Sequence, residues 1–369
     1  MRTIVVYPSS HGFGHASRNI EVINALLARD PDLSIVVRTA VAEWLFQRTV
    51  RGPYRYQRLE ADPGIVQIDS LRMDLDATVA RATEYVRRLD AAADTEARVL
   101  RDLRADLVVA DMPPLALAAA ARAGVPAVAL GNFTWDWIYA AYPGGEEAAA
   151  RIGDVYAATG RALRLPMWGG FARFRDIVDL PFVARHSRRD PEETRRALGL
   201  PAGERLALVS FGGYGLDALD LDALSRVEGH RILVSTGTRV GPDRRPLTAA
   251  DARGSLLPLD EPTMYERGFL YEDLVRAVDV VVTKPGYGII AECIANDTAL
   301  LYTSRGHFVE YDVLVREMPR YLRTAYFDHD ELFAGRWGPH LDRVLAQPAP
   351  PERPRTDGAE MAAQQIIVA

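Results

Sequence analysis

Residues 3–38, TIVVYPSSHGFGHASRNIEVINALLARDPDLSIVVR, decide the fold class of this chain. Two nearly continuous apolar runs, Thr3–Tyr7 and Ser34–Arg38, flank a loop rich in glycine and histidine and a helical stretch at Ala16–Arg29. Such short apolar runs are typical of strands that are buried on both faces of a parallel sheet. The stretch therefore predicts the first β–α–β unit of a doubly wound α/β domain.

The same alternation continues along the chain. Further strands are predicted at Leu107–Ala110, Ala127–Leu130, Leu206–Phe211, Arg231–Ser235, Val280–Thr283 and Ala299–Thr303. Further helices are predicted at Ala77–Arg104, Leu115–Ala123 and Ile289–Ala295. The alternation pauses in the middle of the chain. After the pause, Asp190-Pro191 followed by two acidic residues predicts the start of a helix, and Gly199 predicts its end.

The length of 369 residues predicts two domains, because single cores rarely exceed about 250–300 residues. We expect an N-terminal Rossmann-like domain at 1–182 and a second at 183–350. Residues 351–369 are expected to form a Pro-rich linker and a last helix that packs back on the first domain.

Composition excludes several classes of protein. With 44 basic and 50 acidic residues, the net charge of −6 argues against a nucleic-acid partner. The single cysteine, Cys293, excludes an internal disulfide, and the longest apolar run is interrupted by Arg122 and Pro126, so no transmembrane helix is expected. No secretory segment is evident, and we expect a cytoplasmic protein. The only lysine of the chain is Lys284.

The loop after the first strand is the first candidate site, because ligands of doubly wound folds bind beyond the carboxyl ends of the strands. Gly12 and Gly14 allow close approach of the backbone to a ligand, and His11 and His15 flank them as near-neutral bases. The alternative is a turn with hydrogen-bonded histidines. As a dinucleotide fingerprint the loop is poor, because Ser17 stands where a third glycine is needed.

Two further glycine-rich loops follow strands of the second domain. Gly212, Gly213 and Gly215 follow the first strand there, and their backbone N–H groups suit a diphosphate, although any tight turn can use glycines. The segment from Lys284 to Glu292 follows the strand at 280–283 and opens a helix. An ammonium and a helix N-terminus would stabilise a leaving diphosphate. Glu292 could accept hydrogen bonds from a ribose diol, or be a solvated helix carboxylate.

No metal site is predicted. None of the four Asp-x-Asp triplets directly follows a predicted strand, so most of their carboxylates are expected to be solvated or to cap helices. The four triplets are Asp30/Asp32, Asp74/Asp76, Asp220/Asp222 and Asp328/Asp330. The metal-binding and nucleophile motifs C-x-x-C, H-E-x-x-H and G-x-S-x-G, and the Walker A sequence, are absent from the sequence.

These motifs together resemble the GT-B glycosyltransferases, whose two Rossmann-like doubly wound α/β domains face a cleft. The segment 284–292 resembles that of the lipid-I N-acetylglucosaminyltransferase of peptidoglycan synthesis. A closer resemblance, colinear over almost the whole chain, is to the glycosyltransferase-like N-terminal region of plant-type L-arabinokinases. It rests on HGFGH at 11–15, NFTWDWIY at 132–139, FRDIVDLP at 174–181, FGGYG at 211–215, KPGYGIIAE at 284–292 and GRWGPHLDRVL at 335–345. No kinase motif is visible, so phosphorylation of arabinose is not implied.

The resemblance implies a hexosyl- or N-acetylhexosaminyltransferase that is inverting and metal-independent, with a UDP-sugar as the most suitable co-substrate and no other cofactor. His15, or else His11, would be the general base. Glu292 would bind the ribose, Phe269 and Leu270 the nucleobase through their backbone groups, and Glu310 the donor sugar. The diphosphate would lie among Gly212, Gly213, Gly215, Lys284, Gly286, Tyr287 and Gly288. The acceptor side would comprise Gly12, Gly14, Asn132, Trp135 and Asp136.

Alternatives stay open at this point. A nucleotide-sugar 2-epimerase shares the architecture and needs no acceptor, and a non-catalytic nucleotide-sugar-binding protein would bind without turnover. A nicotinamide-dependent oxidoreductase is disfavoured, because no acidic residue ends the second strand. The acceptor, whether a small molecule, a lipid-linked sugar or a glycan, and the oligomeric state are left open.

Overall fold

The computed structural model describes residues 2–212, 219–236, 238–240 and 245–369. Gly213 and Gly215, which the sequence assigns to a diphosphate site, lie outside the described residues. The chain divides into two compact units. Unit 1 comprises Met1–Val66, Met73–Ala184 and Pro354–Ala369, and unit 2 comprises Gln67–Arg72 and Arg185–Arg353.

Unit 1 contains a parallel sheet with helices between its strands. Its strands are β1 (Thr3–Tyr7), β2 (Ser34–Thr39), β3 (Arg55–Arg58), β4 (Leu107–Ala110), β5 (Ala127–Phe133), β6 (Arg161–Gly169) and β7 (Asp176–Asp179). Its helices are α1 (Phe13–Arg29), α2 (Glu43–Thr49), α3 (Leu75–Asp102), α4 (Pro114–Ala123), α5 (Trp135–Ala140), α6 (Glu146–Thr159) and the last helix of the chain, α15 (Gly358–Ile367).

Within the described residues the strand order of unit 1 is β3-β2-β1-β4-β5-β6-β7, with all neighbours parallel. The order reverses between β1 and β4. The loops that follow these two strands therefore leave the same edge of the sheet side by side, which is the usual ligand-binding position of a doubly wound fold.

Unit 2 repeats this plan. Its helices are α7 (Pro191–Leu198), α8 (Leu221–Leu224), α9 (Glu261–Glu266), α10 (Tyr271–Ala277), α11 (Tyr287–Asn296), α12 (Tyr311–Glu317), α13 (His329–Phe333) and α14 (Gly338–Leu345). Its strands are β8 (Arg205–Ser210), β9 (His230–Ser235), β10 (Arg239–Val240), β11 (Arg245–Pro246), β12 (Leu256–Leu259), β13 (Val280–Thr283), β14 (Ala299–Tyr302) and β15 (Thr324–Tyr326). In the described part of the unit, the parallel order is β12-β9-β8-β13-β14-β15, with the reversal between β8 and β13. The pair β10–β11 is antiparallel and separate.

The last helix belongs to the core of unit 1. In α15, the apolar side chains of Ala362, Ala363 and Ile366 are fully buried in the same cluster as the strands β1, β2 and β4. The helix packs along α1. Arg2 Nη1 adds a hydrogen bond of 2.6 Å to the carbonyl of Ile367, so the two ends of the chain meet in this unit.

Three of the eight aspartates of the Asp-x-Asp triplets are helix N-caps, and most of the others are exposed. Asp74, Asp220 and Asp328 are the N-caps of α3, α8 and α13, and each carboxylate accepts a backbone N–H of the first turn. The helix start at Asp190 is confirmed in the same way, since its side chain accepts from Glu193 N at 3.0 Å. Among the described residues, no helix is both long and apolar enough to cross a membrane.

Candidate functional site

The loop after β1 brings the N-terminus of α1 to the carboxyl edge of the unit 1 sheet. The helix begins at Phe13, and not at Ala16 as the sequence predicts, because Gly12 forms its N-cap with φ 134°, a backbone conformation that favours glycine. No side chain caps this helix. The earlier start places Gly14 and His15 in the first turn of the helix and not in the loop before it.

His15 belongs to a buried polar cluster centred on Asp111, the first residue after β4. Asp111 is fully buried, and its Oδ2 lies 3.0 Å from His15 Nδ1. Arg18 Nε donates to Oδ2 at 2.9 Å, and Arg18 Nη2 donates to Oδ1. Asn19 Nδ2 donates to Oδ2 at 2.7 Å. Since His15, Arg18 and Asn19 are spaced i, i+3 and i+4, one face of α1 supplies all these donors.

The ionisation of Asp111 decides the tautomer of His15. Burial alone would raise the pKa of Asp111, but Arg18 and His15 lower it to about 2, so the group is a carboxylate at neutral pH. Its oxygen therefore requires a hydrogen on His15 Nδ1, which puts the imidazole lone pair on Nε2. Arg18 Nη2 also lies 2.7 Å from Nδ1. In the other tautomer, Nδ1 of His15 would carry no hydrogen and would accept one from Arg18. Its lone pair would then face the carboxylate oxygen of Asp111, and that contact is repulsive.

His11 has a different environment. Its Nδ1 accepts the backbone N–H of Ile65 at 3.3 Å, so neutral His11 carries its hydrogen on Nε2 and lacks a basic lone pair there. Its ring meets the edge of Trp135 with centroids 5.7 Å apart. Between the two candidate bases, this tautomer argument favours His15 over His11.

The other side chains that the sequence assigns to an acceptor side are those of Asn132, Trp135 and Asp136. Asn132, which is 5% exposed, accepts from Arg18 Nη1 and donates to the Pro166 carbonyl at 2.7 Å. Trp135 is fully buried, so it can influence an acceptor only through the residues that it supports. Asp136 lies in the first turn of α5, and burial raises its pKa.

The reversal point of unit 2 brings together two of the predicted diphosphate segments. Gly212 follows β8, and Lys284 follows β13, and the hydroxyl of Thr283 joins the two strands by donating to the Ser210 carbonyl. Gly286 is the N-cap of α11 without a side-chain cap, and Tyr287 and Gly288 form the first turn. Backbone N–H groups at this helix start are suited to an anion.

The side chain of Lys284 is partly buried, and its ammonium makes no hydrogen bond or ion pair with any residue in the part of the chain that the structure describes. Burial and the charge of Arg305 hold its pKa well below the ordinary value, against the opposing effect of Glu310. A bound diphosphate would supply a negative counter-charge for this ammonium.

Glu310 and Arg305 form a buried pair beside Lys284. Arg305 Nη1 lies 3.3 Å from Glu310 Oε1, and the guanidinium lies over the ring of Phe308 at 3.7 Å. Glu310 Oε2 is buried and accepts no hydrogen bond within the described residues. This oxygen fits an acceptor for a hydroxyl of the donor sugar.

Glu292 is held by a residue that the sequence analysis did not connect with it. Arg185, the first residue of the second segment of unit 2, donates from Nε at 2.8 Å and from Nη2 at 2.5 Å to Glu292 Oε1. Glu292 is 5% exposed, so it is not the solvated helix carboxylate of the alternative interpretation.

The predicted nucleobase residues offer fewer backbone groups than expected. The N–H of Leu270 donates to Asp273 Oδ2 at 2.9 Å, and its carbonyl accepts from the first turn of α10. The N–H of Phe269 donates to the Met264 carbonyl at 3.1 Å. Of the four backbone N–H and carbonyl groups of Phe269 and Leu270, the Phe269 carbonyl is the one that has no hydrogen bond within the described residues.

Asp111 and Arg18 were not among the residues predicted from the sequence, and the contact of Arg185 with Glu292 was not predicted. A signal for the first exists, because Asp111 is an acid directly after the buried run LVVA. Arg18 could have been found as a polar residue one helical turn after His15. Arg185 lies in the basic stretch 185–189, but no pattern in the sequence connects it with Glu292. Among the described residues, no group of three or more His, Cys, Asp or Glu side chains could hold a metal ion.

Comparison with known proteins gives one curated relative and many similar structures. No protein-family model matches the chain. The chain is 28% identical over 348 residues to the L-arabinokinase of Arabidopsis thaliana, covering 92% of this chain and 32% of that protein. The chain therefore spans about a third of the length of the curated relative it matches.

Two solved glycosyltransferases illustrate the structural likeness. The glycosyltransferase SnogD from Streptomyces nogalater has a TM-score of 0.54 and 17% identity, covering 100% of this chain and 99% of that chain. Phytolacca americana UGT2, complexed with UDP-2fluoro-glucose and pterostilbene, has a TM-score of 0.58 and 14% identity, covering 99% and 94%. At these identities the likeness shows the fold. The chain has the GT-B fold, with two parallel-sheet α/β units.

Proposed function

We propose that the protein is a glycosyltransferase that moves a sugar from a UDP-sugar to a hydroxyl acceptor. The observation that carries this proposal is the His15–Asp111 pair at the strand-order reversal of unit 1 in a GT-B fold. The relative UGT2 is complexed with a UDP-sugar analogue, which supports a UDP-sugar as donor. Unit 1 would bind the acceptor and unit 2 the donor.

In the proposed reaction His15 Nε2 takes the proton of the acceptor hydroxyl, and the acceptor oxygen attacks the anomeric carbon. The bond from that carbon to the β-phosphate oxygen breaks on the opposite face, so the configuration inverts. Asp111 stabilises the imidazolium that forms, and such proton transfer contributes about 10²–10⁴-fold. Lys284 and the N–H groups at the start of α11 would stabilise the leaving UDP without a metal ion.

The donor site would use the remaining unit 2 residues. Glu292 would bind the ribose, Glu310 Oε2 a sugar hydroxyl, and Gly212 with Gly286 the diphosphate. The Phe269 carbonyl would meet the nucleobase. The experiment below decides two open points. It shows whether the transferred sugar is a hexosyl or an N-acetylhexosaminyl group, and whether the acceptor is a small molecule, a lipid-linked sugar or a glycan. The likeness of 284–292 to the lipid-I enzyme makes UDP-N-acetylglucosamine a donor to include.

The test has a binding step and a turnover step. Melting temperatures are measured with UDP-, GDP- and dTDP-sugars, and a ligand at about 100 times its Kd should stabilise by about 2.7 kcal/mol. Release of UDP is then followed with an acceptor panel for the wild type, His15→Ala and the control His340→Ala, which changes a histidine of α14 outside the proposed site. We expect His15→Ala to lose at least about 100-fold and the control to keep its rate.

Three results would contradict the proposal. If no nucleotide sugar raises the melting temperature, the donor site is wrong. If the donor is converted to its epimer without any acceptor, the protein is an epimerase. If His15→Ala transfers sugar at the wild-type rate, His15 is not the base.

A further inference from the structure

Met112, the residue that follows Asp111, has a left-handed backbone conformation in the core of unit 1. Its φ is 62°, and the residue is 1% exposed. A residue with a side chain rarely adopts this conformation, because its Cβ atom comes too close to the following carbonyl oxygen. Such conformations persist only where the surroundings hold them, and they concentrate at functional sites. The groups that hold Met112 are therefore candidates for a role in the site.

Tyr156 of α6 holds this turn through its hydroxyl. The hydroxyl donates to the Met112 carbonyl at 2.8 Å and accepts the backbone N–H of Trp135 at 3.3 Å. Tyr156 is fully buried, and its ring stacks on Phe174 with the centroids 5.2 Å apart. One hydroxyl therefore joins the chain after β4 to the chain after β5.

Arg18 joins the ends of the same two strands from α1. Its guanidinium donates to Asp111, directly after β4, and to Asn132, near the end of β5. The two links differ, because Arg18 binds side chains and Tyr156 binds backbone groups. Since Asp111 directly precedes the turn that Tyr156 holds, its position relative to α1 depends on that turn.

Gly131 of β5 leaves the space that the turn occupies. The strand β5 lies beside β4, and a Cβ atom on Gly131 would be 2.9 Å from Met112 Cγ and 3.4 Å from Asp111 Oδ1. The φ of Gly131 is not in the left-handed region, so the missing side chain matters for space and not for backbone conformation. A methyl group at this position would have to displace Met112.

We propose that Tyr156 is a positioning residue, which holds the left-handed turn at Met112 and thereby keeps the Asp111 carboxylate against Nδ1 of His15. This rests on the proposed function, in which His15 is the base. Without the hydroxyl the Met112 carbonyl loses its donor, and the turn can relax towards the conformations that methionine prefers. Asp111 then moves away from Nδ1 and stabilises the imidazolium less.

The first step of the experiment observes the His15–Asp111 pair without any substrate. In the full chain labelled with ¹⁵N-histidine, the buried and hydrogen-bonded Nδ1–H of His15 should give an NMR cross-peak, which is assigned by its loss in His15→Gln. Tyr156→Phe removes only the hydroxyl. In this variant the peak should shift, and the hydrogen should exchange with solvent faster by about tenfold or more.

The second step measures turnover. Tyr156→Phe should lower kcat by about tenfold or more and keep the KM for the UDP-sugar donor within about threefold, because the change acts at the base. The acid limb of the kcat profile should move to lower pH, because the imidazolium is stabilised less. Asp111 and Arg18, the charged partners of His15 described above, are both retained. Gly131→Ala displaces the same turn from the other side and should have the same effects.

Tyr139→Phe is the matched control. Tyr139 is also fully buried, and its hydroxyl also donates to a backbone carbonyl, that of Gly64, at 2.8 Å. The two variants should lower the urea midpoint by similar amounts, since they lose the same kind of hydrogen bond. Tyr139→Phe should nevertheless keep the His15 cross-peak and the acid limb of the wild type.

The contrary outcomes are distinct. If the wild type gives no His15 cross-peak, or if Tyr156→Phe changes it no more than Tyr139→Phe does, the proposal is overturned. A lower kcat in Tyr156→Phe with an unmoved acid limb also overturns it, because Asp111 has then stayed in place. If the wild type gives the peak but transfers no sugar, the proposed function fails and the peak alone decides the role of Tyr156. Should Tyr156→Phe fail to fold, an unchanged peak in Gly131→Ala overturns the proposal.

Discussion

Replacing Asp111 by Asn should destabilise unit 1 strongly. The fully buried carboxylate accepts from Arg18, His15 and Asn19, and an amide of the same shape carries no charge. The Arg18 guanidinium, 7% exposed, would then lack its counter-charge. Removing one partner of a buried ion pair costs about 3–5 kcal/mol in free energy of unfolding.

The lowered pKa of Asp111 gives a second argument in the same direction. A decrease from 3.8 to about 2 corresponds to about 2 kcal/mol of stability at neutral pH. Because the pKa is lowered in the folded state, this stability is present above pH 4 and is lost as the pH falls towards 2. The difference between wild type and Asp111→Asn should therefore shrink progressively as the pH falls from 4 towards 2, the range in which the proton is taken up first by the unfolded and then by the folded wild type.

Hydrogen exchange of the amides in β1 and β4, measured over a urea series at pH 7 and pH 3, reports on unit 1 alone. Asp179→Asn is the matched control, because Asp179 also pairs with an arginine, Arg164, but is 67% exposed. That variant should lose less than about 1 kcal/mol. A loss below about 1 kcal/mol for Asp111→Asn at pH 7, or an equal loss at both pH values, would refute the reasoning.

Three further predictions follow from other parts of the fold. Burial and Arg305 lower the pKa of Lys284, so calorimetry should show that the affinity for UDP-glucose increases as the pH falls through this lowered pKa and the side chain gains its charge. The variant Lys284→Met should lose this pH dependence, and a wild-type affinity independent of pH would contradict the prediction. Gly169→Ala would put a methyl group 2.4 Å from the Trp137 ring, so urea unfolding should show a loss of about 1–3 kcal/mol; an unchanged midpoint would be the contrary result. Ile366→Ala should cost about 2–5 kcal/mol in the same exchange experiment on unit 1, and no change there would mean that α15 does not support this core.

Sequence pattern predicted the central strands well and the edge strands poorly. The strands Thr3–Tyr7, Leu107–Ala110 and Val280–Thr283 have the predicted bounds, because central strands of a doubly wound sheet are apolar on both faces. The edge strands Arg55–Arg58 and Asp176–Asp179 were missed. They are half exposed and their sequences, RYQR and DIVD, lack a continuous apolar run.

The candidate site shows the same division between local and long-range information. His15 was identified from its glycine-rich loop, which is a local pattern. Its partner Asp111 is 96 residues away, and the two meet because β4 lies beside β1. Strand order depends on how the whole unit packs, so spacing along the chain does not reveal it. The contact between Arg185 and Glu292, which are separated by 107 residues, was not predicted for the same reason.

The position of α15 has a consequence for synthesis of the chain. The helix that supports α1, and with it His15, is made after all of unit 2. During translation unit 2 can complete its core while unit 1 still exposes the apolar surface that Ala362, Ala363 and Ile366 later cover. A ribosome that stops before residue 358 would release a chain in which unit 2 is folded and the apolar surface of unit 1 is open to proteases and chaperones.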